Sequence, residues 1–167
     1  IGESGFDNSG FSIASAGDVD GDGLDDIIVG AYSNNESGVS AGKSYLILGN
    51  SLGGSSLIDL ALADYTFTGE YDGDLAGYSV SSAGDVDGDG YDDILIGAPN
   101  NDEGGNNAGK SYLILGGSLG LETNLELSQS DYVFVGQEGM DELGSSVSFA
   151  GDVDGDGLGD ILLGAPN

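Results

Sequence analysis

The feature that most constrains this chain is an internal repeat. The string GDVDGDGLDDIIVGAY begins at Gly17, GDVDGDGYDDILIGAP at Gly84 and GDVDGDGLGDILLGAP at Gly151, an offset of 67 residues both times. The register also holds outside these strings: AGKSYLILG starts at Ala41 and again at Ala108, and DYTF at Asp64 matches DYVF at Asp131. A constant period without insertions means that one supersecondary unit is used repeatedly, each copy burying part of its surface against the next. The units are residues 1–67, 68–134 and a partial third, 135–167. The pattern is entered and left part-way through a unit, so the chain is expected to be one stretch of a longer assembly.

Within each period the apolar runs are short, β-branched or aromatic, and separated by Gly, Asn, Asp and Ser, which reads as strands and turns. Four strands are expected per period, at Phe11 to Ala14, Ile27 to Gly30, Lys43 to Leu48 and Tyr65 to Thr68, with counterparts 67 residues later. The second is the most apolar and should be buried on both faces. The segments from Leu57 to Ala63 and from Leu121 to Leu127 are read as irregular. A four-stranded, helix-free unit of this length has the size of a propeller blade or a β-solenoid coil.

Charge singles out the loops. The formal net charge is -28, from 30 acidic residues against two lysines, and a compact fold carrying it repels itself. Fourteen of the acids fall in three short clusters inside the repeated string. In the first, carboxylates stand at loop positions 1, 3, 5 and 9 (Asp18, Asp20, Asp22 and Asp26), with Gly21 and Gly23 between them. A chain wrapped around one ion presents alternate side chains inward, and glycine at position 6 permits the turn that aims the next carbonyl, that of Leu24, at the same point. The second loop repeats the set with Asp85, Asp87, Asp89, Tyr91 through its carbonyl, and Asp93. The third does so with Asp152, Asp154, Asp156, Leu158 through its carbonyl, and Asp160. Two carboxylates about 5 Å apart repel by roughly 3 kcal/mol at an effective dielectric of 20, and four make six such pairs, so an uncompensated loop would splay. Five to seven hard oxygens in a flexible wrap favour Ca²⁺ over Mg²⁺, giving three expected Ca²⁺ sites. An EF-hand closes with Glu at position 12, but Val29, Ile96 and Leu163 stand there inside apolar strands, which excludes a helix-flanked loop.

The period resembles the FG-GAP repeat of integrin α-subunit β-propellers and of related bacterial surface proteins. The matching residues are Gly10, Ser12 and Ile13, then Gly77, Ser79 and Val80, then Gly144, Ser146 and Val147, each set ahead of a DxDxDGxxD loop. Gly97-Ala98-Pro99 and Gly164-Ala165-Pro166 close the second and third copies. Two departures stand out: the Phe of FG is Ser9, Ala76 and Leu143 here, and the first closing triplet reads Gly30-Ala31-Tyr32. Neither touches a proposed metal ligand, so both bear on packing at the blade centre. The resemblance implies an all-β fold of tandem four-stranded antiparallel blades of β-propeller type, as an incomplete ring or an open array, with Ca²⁺ held between the inner two strands. It also implies adhesion or scaffolding outside the cell, at the extracellular face or cell surface. A ring of seven such blades needs about 470 residues, which two and a half blades do not supply.

The remaining residues are read as structural. Lys43 and Lys110, at the same repeat position, should pair with a neighbouring acid or protect a strand edge. Tyr45 and Tyr112, Tyr65 and Tyr132, and Phe67 and Phe134 recur with the period and suit core packing. Asn35-Glu36-Ser37 is a glycosylation sequon that the second copy lacks, and loop position 8 (Asp25, Asp92, Gly159) varies too much to be a ligand. With no Cys, no His and no Arg, and every clustered Asp assigned to a metal loop, an enzyme is not expected. The alternative is a glycan-binding or hydrolytic propeller domain of a secreted protein, its carboxylates acting as an acid/base pair. Expected partners are further copies of the same repeat or neighbouring chains, and a protein or glycan ligand. Nucleic acid and membrane insertion are excluded by the charge and by the lack of a long apolar run.

Overall fold

The four apolar runs expected in each full repeat become strands. The computed structural model describes residues 2–54 and 57–167, and among them there are eleven strands, four 3₁₀ turns and no α-helix. The first repeat supplies β1 (Ser12–Gly17), β2 (Asp26–Ala31), β3 (Lys43–Ile47) and β4 (Tyr65–Thr68). The second supplies β5 (Ser79–Gly84), β6 (Asp93–Ala98), β7 (Lys110–Ile114), the short β8 (Asn124–Glu126) and β9 (Tyr132–Val135). The third supplies β10 (Ser146–Gly151) and β11 (Asp160–Gly164). Antiparallel pairing within each repeat, with β8 added in parallel, gives sheets ordered β1-β2-β3-β4-β8, β5-β6-β7-β9 and β10-β11, and among the described residues no sheet closes into a barrel. These are blades of propeller type set side by side, as the repeat implied.

The first strand of each blade runs further than expected from its sequence. In the first blade the expected end is Ala14, but the ladder continues through a bulge, so that Gly17 pairs with Asp26 while Ser15 pairs with Ile27. The same shift occurs between Ser82 and Gly84 and between Phe149 and Gly151. Gly17, Gly84 and Gly151 sit at φ of 79°, 68° and 80°, which only glycine adopts without steric cost. Each bulge therefore delivers the chain directly into an Asp loop.

Burial alternates along β1, whereas β3 and β7 are buried throughout. β6 is buried along its whole length and β2 nearly so. Ala16, Val19, Ile28 and Leu46 of the first repeat share one core with Ile94, Ile96, Tyr112 and Ile114 of the second. On the other face of β6, Leu95 and Leu113 pack with Val147, Ile161 and Leu163 of the third. Tyr45, Tyr112 and Phe67 are buried as expected, whereas Tyr132 is 54% exposed on the outer strand β9 and Phe134 is half-buried. Tyr32, which replaces the proline of the closing triplet, meets Phe11 at 4.7 Å and Tyr78 at 5.6 Å between ring centroids, forming a partly exposed cluster of three aromatic rings between the first and second repeats.

The blades are joined by polar bonds that recur at the period. Ser12 Oγ donates to the Gly77 carbonyl at 2.8 Å, and Ser79 Oγ to that of Gly144 at 2.8 Å. Strand β8 adds in parallel to the outer strand β4 of the preceding blade, Thr66 facing Asn124 and Thr68 facing Glu126. The sequence around it reads as irregular because three residues alternate too briefly to announce a strand. Its equivalent in the first repeat, residues 57–59, forms no strand, and the 3₁₀ turn Leu60–Leu62 corresponds instead to the turn Leu127–Gln129 that follows β8.

Candidate metal centres

Each Asp loop is a hairpin between the first two strands of a blade, and its main chain holds its own carboxylates. In the first loop the Gly23 N–H donates to Asp18 Oδ2 (3.0 Å), Asp22 N–H to Asp20 Oδ1 (3.1 Å) and Leu24 N–H to Asp22 Oδ1 (2.9 Å). The Asp26 carboxylate spans two segments, accepting from Val19 N–H at 2.9 Å and from Gly49 N–H beyond β3 at 2.7 Å. The second loop repeats this with Gly90 on Asp85, Asp89 on Asp87, Tyr91 on Asp89, and Val86 and Gly116 on Asp93. In the third, Gly157 donates to Asp152, Asp156 to Asp154, Leu158 to Asp156 and Val153 to Asp160.

This scaffold draws carboxylates together. One oxygen each of Asp18, Asp20 and Asp22 lie within 4.8 Å of one another, as do those of Asp85, Asp87 and Asp93, and those of Asp152, Asp154 and Asp160. The first trio takes loop position 5 and the other two take position 9. Asn50 accounts for part of that difference, since its Nδ2 donates to Asp22 Oδ2 at 2.7 Å and to Asp20 Oδ2 at 3.3 Å. Its counterpart in the second repeat is Gly117. Asn50 was not foreseen; the break in the repeat at that position was the only signal. The Leu24, Tyr91 and Leu158 main chains, expected to ligate through their carbonyls, are each fixed through their N–H to the position-5 carboxylate.

The first two clusters hold carboxylate groups in unfavourable surroundings. Asp18 Oδ1 is buried without any hydrogen-bond donor, whereas Oδ1 of Asp85 takes the N–H groups of Gly88 (2.7 Å) and Asp89 (3.1 Å). A buried carboxylate oxygen without a donor is costly unless a cation meets it. Burial pushes the Asp93 carboxyl up to about 6, against the pull of the Val86 and Gly116 N–H groups and reinforced by Asp87 and Asp89. Asp26 is raised for the same reason, with Asp20 and Asp18 adding to it. A divalent ion among these groups reverses that logic by favouring the ionised form.

Each of the first two loops also lies under the next repeat. The Asp92 carboxylate accepts from the Asp18 N–H at 2.8 Å, and the Asp92 N–H donates to the Asp18 carbonyl at 3.0 Å. A Cβ on Gly21 would come within 2.6 Å of the Tyr91 ring, and one on Gly116 within 2.8 Å of the Val19 carbonyl. Over the second loop, Gly159 N–H donates to the Asp85 carbonyl at 2.7 Å, and Leu158 and Phe149 stand beside Gly88 and Gly84. Position 8 thus bridges blades. Asp25, its counterpart in the first repeat, is exposed.

The lysines form a second polar system. Lys110, almost fully buried, pairs with Glu70 at 2.7 Å and with Glu103, and its ammonium lies 5.5 Å from the Tyr112 ring centroid. Tyr112 donates its hydroxyl to the same Glu70 oxygen at 2.8 Å, and its own ionisation is pushed far up by burial and by Glu70. Lys43 repeats the arrangement with Glu3 (2.9 Å), Glu36 and Tyr45. The expectation of a neighbouring acid holds, and in both copies one partner lies 40 residues upstream, in the segment that leads into the blade.

The FG-GAP repeat family matches residues 9–47, 76–114 and 143–167. Integrin alpha-PS2 of Drosophila melanogaster is 32% identical over 163 residues, covering 94% of this chain and 10% of that protein. Integrin alpha-5 of Xenopus laevis is 35% identical over 170 residues, covering 98% of the chain and 14% of that protein. Integrin alpha-8 of Mus musculus is 37% identical over 105 residues, 60% of the chain and 9% of that protein. The chain therefore spans a small part of the relatives it matches.

Proposed function

The chain belongs to the FG-GAP repeat family, and from that premise we propose that it is a calcium-binding structural and adhesion module displayed outside the cell. The observation that carries the reading is the donorless, buried Asp18 Oδ1 within a cluster of three carboxylates. Ca²⁺ supplies the positive charge that this oxygen lacks. Its ligands are the carboxylates of Asp18, Asp20, Asp22 and Asp26 with the Leu24 carbonyl, and the corresponding sets from Asp85 to Asp93 and from Asp152 to Asp160. Main-chain N–H groups hold these carboxylates, on both oxygens at Asp26, Asp85, Asp93 and Asp152, and the remaining lone pairs give acceptor capacity for a metal, which suits ligation better than proton transfer. For this reason, and because no His, Cys or Arg accompanies them, the role is non-catalytic.

The repeating unit runs over residues 1–67, 68–134 and 135–167, and its partners are further copies of the same repeat together with a protein or glycan ligand. The location outside the cell is inferred from the integrin relatives, and no helix among the described residues is long and apolar enough to cross a membrane. Melting the metal-free protein with added Ca²⁺ or Mg²⁺ tests the assignment. Ca²⁺ is expected to raise Tm well above Mg²⁺ at equal concentration, because an adaptable all-oxygen wrap suits the larger ion. No response to either ion would remove the metal reading, and equal responses would remove the preference for calcium.

A further inference from the structure

Resting on the reading of the loops as calcium sites, we propose that Asp92 of the second repeat is a positioning residue for the ion held in the first loop, linking occupancy of that loop to the seating of the second blade. Asp92 itself does not join the carboxylate cluster of either loop. It grips the main chain of Asp18 from both sides, its carboxylate taking the Asp18 N–H at 2.8 Å and its own N–H reaching the Asp18 carbonyl at 3.0 Å. The space where a Cβ of Gly17 would stand is filled by the Asp92 carboxylate, so glycine at the bulge is what admits this contact. The residue so gripped is the one whose Oδ1 is buried without a donor and whose Oδ2 is held by Gly23. With both its main-chain groups fixed by the neighbouring blade, Asp18 is oriented before an ion arrives.

The second pair of blades provides the internal control. There Gly159 replaces Asp92, and only the main-chain half survives, Gly159 N–H to the Asp85 carbonyl at 2.7 Å. Position 8 thus sets how firmly a following blade holds the loop before it. Coupling of this kind is reciprocal: an ion that fixes Asp18 also strengthens its hold on Asp92.

The test is a residue-resolved NMR titration of the whole chain with CaCl₂, following the amides of the first and third loops separately. Asp92→Ala is expected to weaken Ca²⁺ at the first loop roughly tenfold, the effect of losing a charge-assisted hydrogen bond, and to leave the third loop unchanged. Asp92→Asn, which keeps an acceptor without the charge, should fall between the two. In the unchanged protein, Ca²⁺ should slow hydrogen exchange at the Asp18 amide, and Asp92→Ala should reduce that protection. An unchanged first-loop affinity in Asp92→Ala overturns the proposal, as does an equal loss at all three loops, which would mark a general loss of stability. Silence of every loop in the unchanged protein would instead remove the calcium reading, and this inference with it.

Discussion

Residues 17–26 and 151–160 differ only at position 8 of the loop, Asp25 against Gly159, yet they occupy opposite environments. Val19 is fully buried in the core shared by the first two blades, whereas Val153 is 74% exposed. The internal bonds of the two hairpins are nevertheless alike: Val19 to Asp26 matches Val153 to Asp160, and Gly23 to Asp18 matches Gly157 to Asp152. Local sequence therefore shapes the loop, while its burial depends on the blade that covers it. An ion bound in the first loop would act on the interface with the following repeat.

The largest effect that can break this comparison is removal of calcium. Each site at a free-ion concentration about 100 times its Kd contributes roughly 2.7 kcal/mol, so three together rival the whole stability of a small domain. Calorimetric scans with chelator should show a drop of tens of degrees in Tm, and hydrogen exchange should rise more across the first and second loops than across the third. Uniform loosening would mean that the covering blades do not matter.

Next in size is Lys110→Ala, expected to cost about 3–5 kcal/mol in denaturant melts because it strands Glu70, whose side chain is 8% exposed. Lys43→Ala should cost less, since its partners Glu3 and Glu36 are 30% and 54% exposed and can rehydrate. A reversed order would show that burial of the partner is not what decides the loss.

Core packing gives a smaller inequality. Val19→Ala should destabilise by about 2 kcal/mol and Val153→Ala by under about 0.5 kcal/mol. Equal losses would contradict the difference in burial. Smallest is the contrast within one loop: with Ca²⁺ present, Asp22→Ala should lower Tm clearly, whereas Asp25→Ala, at an exposed position outside the cluster, should stay within about 0.5 kcal/mol. Equal effects would reassign the ligands.

Much of this was legible in the chain because it is local. The strands, the hairpins and the Asp positions follow from period-2 alternation and from glycine placement inside a few residues. What escaped joins residues far apart: β8 on β4, Asp92 on Asp18 across 74 positions, and Asn50 on Asp20 and Asp22. No spacing rule reports such contacts, since they depend on how one blade leans on another. The Glu3–Lys43 and Glu70–Lys110 pairs were closer to view, because the same offset of 40 residues appears in both copies. Tyr132 was misplaced in the core because its repeat partner Tyr65 is half-buried with β8 beside its strand, whereas β9 is the outermost strand of its sheet.

The most direct test of the account is to count the ions. Titrating the metal-free chain with Ca²⁺ by calorimetry, with metal analysis of the dialysed protein beside it, should give three equivalents per chain, one for each Asp loop. Fewer than two equivalents on the folded protein would contradict it.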